Sequence, residues 1–108
     1  MNDTLQNLYQ VVLDRKSNPQ EGSYTCYLFE QGIDKICKKV GEESAETIIA
    51  AKNGVESETV GEICDVIYHL MVLMAQQNIS LDAVLEELDR RSQKIGNLKK
   101  MKQTDRET

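Results

Sequence analysis

Apolar residues recur along this chain at spacings of three and four, the period of helices that bury one face. Leu5, Leu8, Tyr9 and Val12 open the series behind Asp3 or Thr4 as a cap, and predict a helix to about Lys16. Residues 17–23, S-N-P-Q-E-G-S, have the composition of a loop. A short helix is expected from about Tyr24 to Gln31, ended by Gly32. The next should start at Asp34 as N-cap, with Ile33 as an apolar staple, and run to about Asn53, where Gly54 stops it. A further long helix should reach from near Ser57 to Gln77. Ser80 caps the last, which carries Leu81, Val84, Leu85 and Leu88 inward and frays between Arg91 and Gly96. Residues 97–108 are polar and aperiodic and predict a flexible tail. The expected organisation is one all-α domain over residues 1–96 with the tail 97–108 behind it.

Two of these stripes are interrupted by acids. Ile36, Val40, Glu43, Thr47 and Ala50 share one helical face, and Glu62, Val66, His69 and Leu73 share another. Glu46 follows Glu43 by three residues, and Asp65 follows Glu62 by three, so each pair lies side by side on its helix, with Cβ atoms about 5–6 Å apart. A short turn between two antiparallel helices would bring the pairs together. Read singly, an E-x-x-E pair also suits a solvated face matched by lysines. Two pairs on inward stripes are different, because four facing carboxylates repel one another and either take up protons or need a cation. A hard divalent ion such as Mg²⁺ takes oxygen ligands and is often completed by substrate phosphates. Glu43, Glu46, Glu62 and Asp65 are therefore the expected metal ligands. Glu42 points about 100° away from Glu43 on the helix, and can orient water or serve the outer shell.

The chain now resembles a known family. E-x-x-E, a gap and E-x-x-D form the signature of the MazG-type all-α nucleotide pyrophosphohydrolases. S-Y-T-C-Y-L-F at 23–29, G-I-D-K-I-C-K-K-V-G-E-E-S-A-E at 32–46 and E-I-C-D-V-I-Y-H-L at 62–70 are similar to the phosphoribosyl-ATP pyrophosphohydrolases, over about residues 4–95. The resemblance implies a MazG-like four-helix bundle completed by homodimerisation. It implies Mg²⁺-dependent hydrolysis of the α–β phosphoanhydride of phosphoribosyl-ATP to phosphoribosyl-AMP and pyrophosphate, the second step of histidine biosynthesis. Glu42, Glu43 and Glu46 then become the catalytic candidates, with the general base left open among the acids not bound to metal. Ser23, Tyr24 and Thr25 begin the short helix as a capped start, and the resemblance also sets them beside the substrate. Lys39, one turn before Glu42 and Glu43, either reaches phosphate or pairs with the acids. His69 is either a hydrogen-bonded core histidine or a substrate contact. Arg91 resembles a family position near the end of the last helix, where it contacts phosphate or supports the helix C-terminus.

Composition narrows the alternatives. With 108 residues, 40% of them apolar, a single chain buries about 65% of its unfolded surface, a marginal core that a dimer would enlarge. The long helix around Ile63, Cys64, Val66, Ile67, Leu70, Met71, Leu73 and Met74 is apolar over more than half its circumference, which also points to a shared helix. The net charge of −5, with no basic block before the tail, argues against nucleic acid as a partner. No apolar stretch is long enough to span a membrane and no signal peptide is visible, so the cytoplasm is expected. Three separated cysteines without C-x-x-C spacing read as reduced thiols, at least two of them packed in helices. Three rivals remain: a MazG-type enzyme acting on dUTP, dCTP or non-standard nucleoside triphosphates, a non-catalytic helical dimerisation module, and a di-iron carboxylate protein. The last lacks the E-x-x-H pairing.

Overall fold

A computed structural model describes residues 3–93 and 101–107. Its helices are α1 Thr4–Ser17, α2 Tyr24–Gln31, α3 Ile33–Asn53, α4 Glu56–Gln76, α5 Leu81–Ser92 and α6 Gln103–Glu107. No strand occurs among the described residues, so the all-α class stands.

The frame is a hairpin of two 21-residue helices, α3 and α4, which pack against each other along their length. Gly54 makes the turn possible. Its φ of 75° lies in the left-handed region, and its N–H closes on the carbonyls of Ala50 and Ala51. Gly32 turns α2 into α3 at φ 89°, a conformation that a side chain resists. The helix therefore starts at Ile33, one residue ahead of the expected cap. Asp34 sits in its first turn, where its charge favours the positive end of the helix dipole.

The core is built from Tyr9 and Val12 of α1, Leu28 of α2, Ile36 of α3, Met71, Val72 and Ala75 of α4, and Leu81. At its lower end Tyr9 Oη donates to the Ile79 carbonyl at 2.5 Å, and Lys16 Nζ donates to the Ala75 carbonyl at 2.8 Å. The first ties α1 to the loop after α4, and the second reaches a carbonyl in the last turn of α4, where helix carbonyls lack a partner within the helix. Helices α1 to α4 pack on one another, whereas α5 joins the core through Leu81 and, in part, Leu85. Beyond that its Leu88 faces solvent.

One expectation is corrected. Only Cys26 is packed; Cys37 and Cys64 lie on helices but on their outward faces. Within the tail, residues 103–107 form a helical turn, with the Lys102 N–H donating to Asp105 at 2.8 Å. The expected fraying to Gly96 and the boundary at 96/97 lie outside the described residues.

Candidate functional site

Burial follows the two acid-bearing stripes. On α3, Ile36, Glu43 and Ala50 are buried, with Val40 and Thr47 half-buried between them. On α4, His69 is buried, and Glu62, Val66 and Leu73 are half-buried. Facing each other across the hairpin, these stripes bring carboxylate oxygens of Glu43, Glu62 and Asp65 within 4.8 Å of one another. Glu46, on the exposed rim, leans against both Glu43 and Glu62.

The electrostatics are those of a crowded acid cluster. Burial by itself would raise the Glu43 carboxyl; a hydrogen bond from Glu46 and the Lys39 ammonium, 3.5 Å from Glu43 Oε1, outweigh it and hold Glu43 below its ordinary range. Its partner carries the consequence. The bond to Glu43, then the charge of Glu43, then desolvation and the nearby Glu62 push Glu46 up to about 7. The pair thus shares one proton to near neutrality, as closely spaced carboxylates do. Two oxygens, Glu43 Oε2 and Glu62 Oε2, are buried without any hydrogen-bond partner. Orphaned carboxylate oxygens in the interior are costly unless something positive meets them. An all-oxygen donor set of this kind fits a hard cation of the Mg²⁺ type.

Lys39 lies between Glu43 and Glu42, 4.0 Å from the latter. Burial would lower its ammonium, but the Tyr24 oxygen and the two glutamates more than compensate, so it stays charged. Glu42 is half-exposed on the flank of the cluster and takes no part in the close carboxylate trio.

Helix α2 is clasped onto α4 beside these acids. Tyr24 Oη lies 3.0 Å from His69 Nε2, and His69 Nδ1 lies 2.7 Å from the Asp65 carbonyl oxygen. A carbonyl only accepts, so Nδ1 carries the hydrogen, and in the neutral ring Nε2 accepts from Tyr24. His69, only 4% exposed, is therefore a core histidine with both nitrogens engaged. Next to it Thr25 Oγ1 and Tyr68 Oη share a very short hydrogen bond. Ser23 caps α2, accepting from the Cys26 N–H at 3.2 Å. Arg91, by contrast, has its ion-pair partner on its own helix, Glu87 at 3.9 Å. Among the described residues nothing ties it to the acids.

Sequence reasoning passed over Tyr68 and Tyr27. Tyr68 stands three residues after Asp65, so it shares the face of that acid, and a tyrosine there was a legible signal. Tyr27 is likewise three residues beyond Tyr24.

An all-helical domain whose central hairpin gathers a cluster of carboxylates is the class that fold and site define. The particular family follows from comparison: residues 5–92 match the model described as Phosphoribosyl-ATP pyrophosphohydrolase, and the chain belongs to that family. It is 54% identical over 103 residues to the phosphoribosyl-ATP pyrophosphatase of Clostridium botulinum (strain Kyoto / Type A2), covering 95% of this chain and 94% of that protein. With the phosphoribosyl-ATP pyrophosphatase of Listeria welshimeri it shares 52% over 101 residues, covering 94% and 97% respectively. A histidine biosynthesis bifunctional protein of Caldanaerobacter subterraneus is 55% identical over 92 residues. That alignment takes in 85% of this chain and 45% of the longer protein.

Proposed function

We propose that this chain hydrolyses the α–β phosphoanhydride of phosphoribosyl-ATP, releasing phosphoribosyl-AMP and pyrophosphate, as the second step of histidine biosynthesis. The reading rests above all on the family match over residues 5–92, which spans the acid cluster. Glu43, Glu62 and Asp65, with Glu46 at the rim, would hold Mg²⁺. When bound, the ion supplies positive charge that neutralises the phosphates and makes the phosphorus open to attack. Lys39 adds a second positive charge on the same side and guides the polyphosphate toward the acids. Glu42, outside the trio and open to solvent, orients the attacking water and receives its proton. Ser23, Tyr24 and Thr25 form the wall of the site on the α2 side, and His69 keeps Tyr24 in place.

The proposed enzyme is a cytoplasmic homodimer. On α4 the stripe of Ile63, Ile67 and Leu70 is 45%, 37% and 39% exposed in the single chain. A row of this length at alternating spacings of four and three is the seam of a helix that packs on another. Packing α4 against its copy would cover it, and would bring Arg91 of one chain toward the acids of the other.

The deciding experiment is to incubate pure protein with Mg²⁺ and phosphoribosyl-ATP, beside dUTP and dCTP, and to measure pyrophosphate. Phosphoribosyl-ATP should have the highest kcat/KM; a deoxynucleotide that equals it would transfer the case to the rival pyrophosphohydrolases. Glu43→Gln and Glu62→Gln should abolish turnover while leaving the circular-dichroism helix signal intact. Mg²⁺ should raise the Tm of the wild type, because binding to the folded state adds RT ln(1 + [L]/Kd), and should not raise that of Glu62→Gln. Near-normal turnover in both variants would remove the acids from the mechanism.

A further inference from the structure

The Tyr24 hydroxyl has one hydrogen to give, and the fold has already assigned it. His69 Nδ1 lies 2.7 Å from the Asp65 carbonyl oxygen, which only accepts, so Nδ1 keeps the hydrogen of the neutral ring. His69 Nε2 is then an acceptor, and Tyr24 Oη donates to it across 3.0 Å. The imidazole meets the Tyr24 ring edge-on at 5.8 Å and the Tyr68 ring edge-on at 4.9 Å, so both of its flanks are packed. The backbone around Tyr24 is held too, by the Ser23 cap on one side and the bond from Thr25 to Tyr68 on the other. Burial before all else raises the Tyr24 phenol above its ordinary value, so the group keeps its hydrogen at neutral pH. The direction of this series of bonds, from Tyr24 to His69 to the Asp65 backbone, is fixed before any ligand arrives.

A phenol oxygen accepts as well as donates. With its hydrogen turned inward, Tyr24 offers the site lone pairs. The residue is 46% exposed, and its oxygen is near enough to Lys39 and Glu43 for their charges to act on it. Such an acceptor gives nothing to a phosphate oxygen, which itself accepts. Lys39 stands beside it as the phosphate donor, although in the free protein its ammonium faces Glu43 at 3.5 Å and Glu42 at 4.0 Å. The group that follows the α-phosphate in a nucleotide is the ribose. Its 2′ and 3′ hydroxyls are neutral and each can donate.

We propose that Tyr24 Oη accepts a hydrogen bond from a hydroxyl of the ribose next to the α-phosphate, and so makes the sugar a determinant of specificity. This rests on the nucleotide pyrophosphohydrolase reading and deepens it. Because Tyr24 is half open to solvent, water replaces a missing hydroxyl at small cost. The discrimination is therefore that of one neutral hydrogen bond, between about 2-fold and 13-fold, and not the far larger rejection of a closed polar site.

The test is binding of adenosine 5′-monophosphate, 2′-deoxyadenosine 5′-monophosphate and 3′-deoxyadenosine 5′-monophosphate to the intact protein with Mg²⁺, at about pH 8, where imidazole is neutral. In wild type at least one deoxynucleotide should bind more weakly by that factor, and the one that does identifies the hydroxyl. Tyr24→Phe should weaken adenosine 5′-monophosphate to the same degree and should bind all three alike. A variant that had only disturbed the fold would weaken all three and keep their ratio. NMR of the His69 ring nitrogens should find the hydrogen on Nδ1 and none on Nε2. Equal affinities in wild type, binding of none of the three, a ratio that persists in Tyr24→Phe, or a hydrogen on Nε2 would each overturn the proposal. Should Tyr24→Phe fail to fold, the wild-type affinities and the imidazole tautomer decide. A wild-type protein that leaves phosphoribosyl-ATP intact would count against the proposed reaction, and the three affinities would still judge Tyr24.

Discussion

Glu43 shows how one side chain links packing to chemistry. It is 7% exposed in the middle of an apolar stripe, tied by Lys39 on one oxygen and unpartnered on the other. Without a cation, the strain of the cluster falls on Glu46, whose pKa rises from an ordinary 4.5 to about 7. The sign of the effect on stability follows directly. A carboxyl with a raised folded-state pKa contributes stability that is full below its unfolded value and is lost as pH rises through its folded value. Metal-free protein should therefore lose Tm between about pH 4.5 and 7 through this group. Glu43, held low, acts with opposite sign and below that window. Thermal melts in EDTA should show the decline in wild type, and Glu46→Gln should flatten it. An equally steep decline in that variant would place the proton elsewhere. Saturating Mg²⁺ should also flatten it, because a bound cation and the shared proton compete for the same oxygens.

At the scale of the element, α3 and α4 matter because their inward stripes are in register across one tight turn. The clasp from α2 adds side-chain bonds where backbone packing is slight: Tyr24 to His69 and Thr25 to Tyr68. Gly41 is the exception in α3. A Cβ built there would meet nothing within 4 Å, so no contact among the described residues asks for glycine. Gly41→Ala should stabilise the helix by roughly 1 kcal/mol in urea denaturation, the difference in helix propensity. If a ligand or a second chain passes close to this position, the same variant will lose turnover while gaining stability, and the two measurements separate those roles. A loss of stability would mean that the open space is filled in the assembled protein.

The whole chain is more extended than a compact monomer of its mass. Its accessible surface is 8144 Å², against about 6100 Å² for a folded monomer of 12.3 kDa. Its radius of gyration is 16.1 Å, against about 13 Å for a compact domain of this length. The exposed segment around α6, the uncovered α4 stripe and the exposed outer face of α5 all contribute to this excess; in the proposed dimer a second copy would bury the α4 stripe. Leu70→Glu is the corresponding test. In a dimer it buries an unpaired charge and should split or unfold the assembly; in a monomer it replaces an exposed side chain and should change stability by less than about 0.5 kcal/mol. Light scattering on wild type and variant distinguishes the two, and an active wild-type monomer of 12.3 kDa would refute the shared helix.

Much of this was legible in the chain, and the reason is local. Helix limits came within about one residue, because caps, glycines and the 3.6-residue period act over a few neighbours. The same period put Glu43 and Glu62 on inward faces, since an acid on an apolar stripe has no other place to go. Other features depend on distance through space, which no spacing encodes. The clasp of Tyr24 and Thr25 onto His69 and Tyr68 joins residues more than forty positions apart. Glu43, Glu46 and Lys39 share one helix and their pairing follows from spacing, but the further push of Glu62 on Glu46 exists only where the hairpin brings α4 against α3. The sequence predicts at least two cysteines packed in helices; the packing of α3 on α4 leaves Cys37 and Cys64 outside. Period and capping determine which face of a helix turns inward. How near two inward faces come, and which side chains then touch, is decided only when the helices pack.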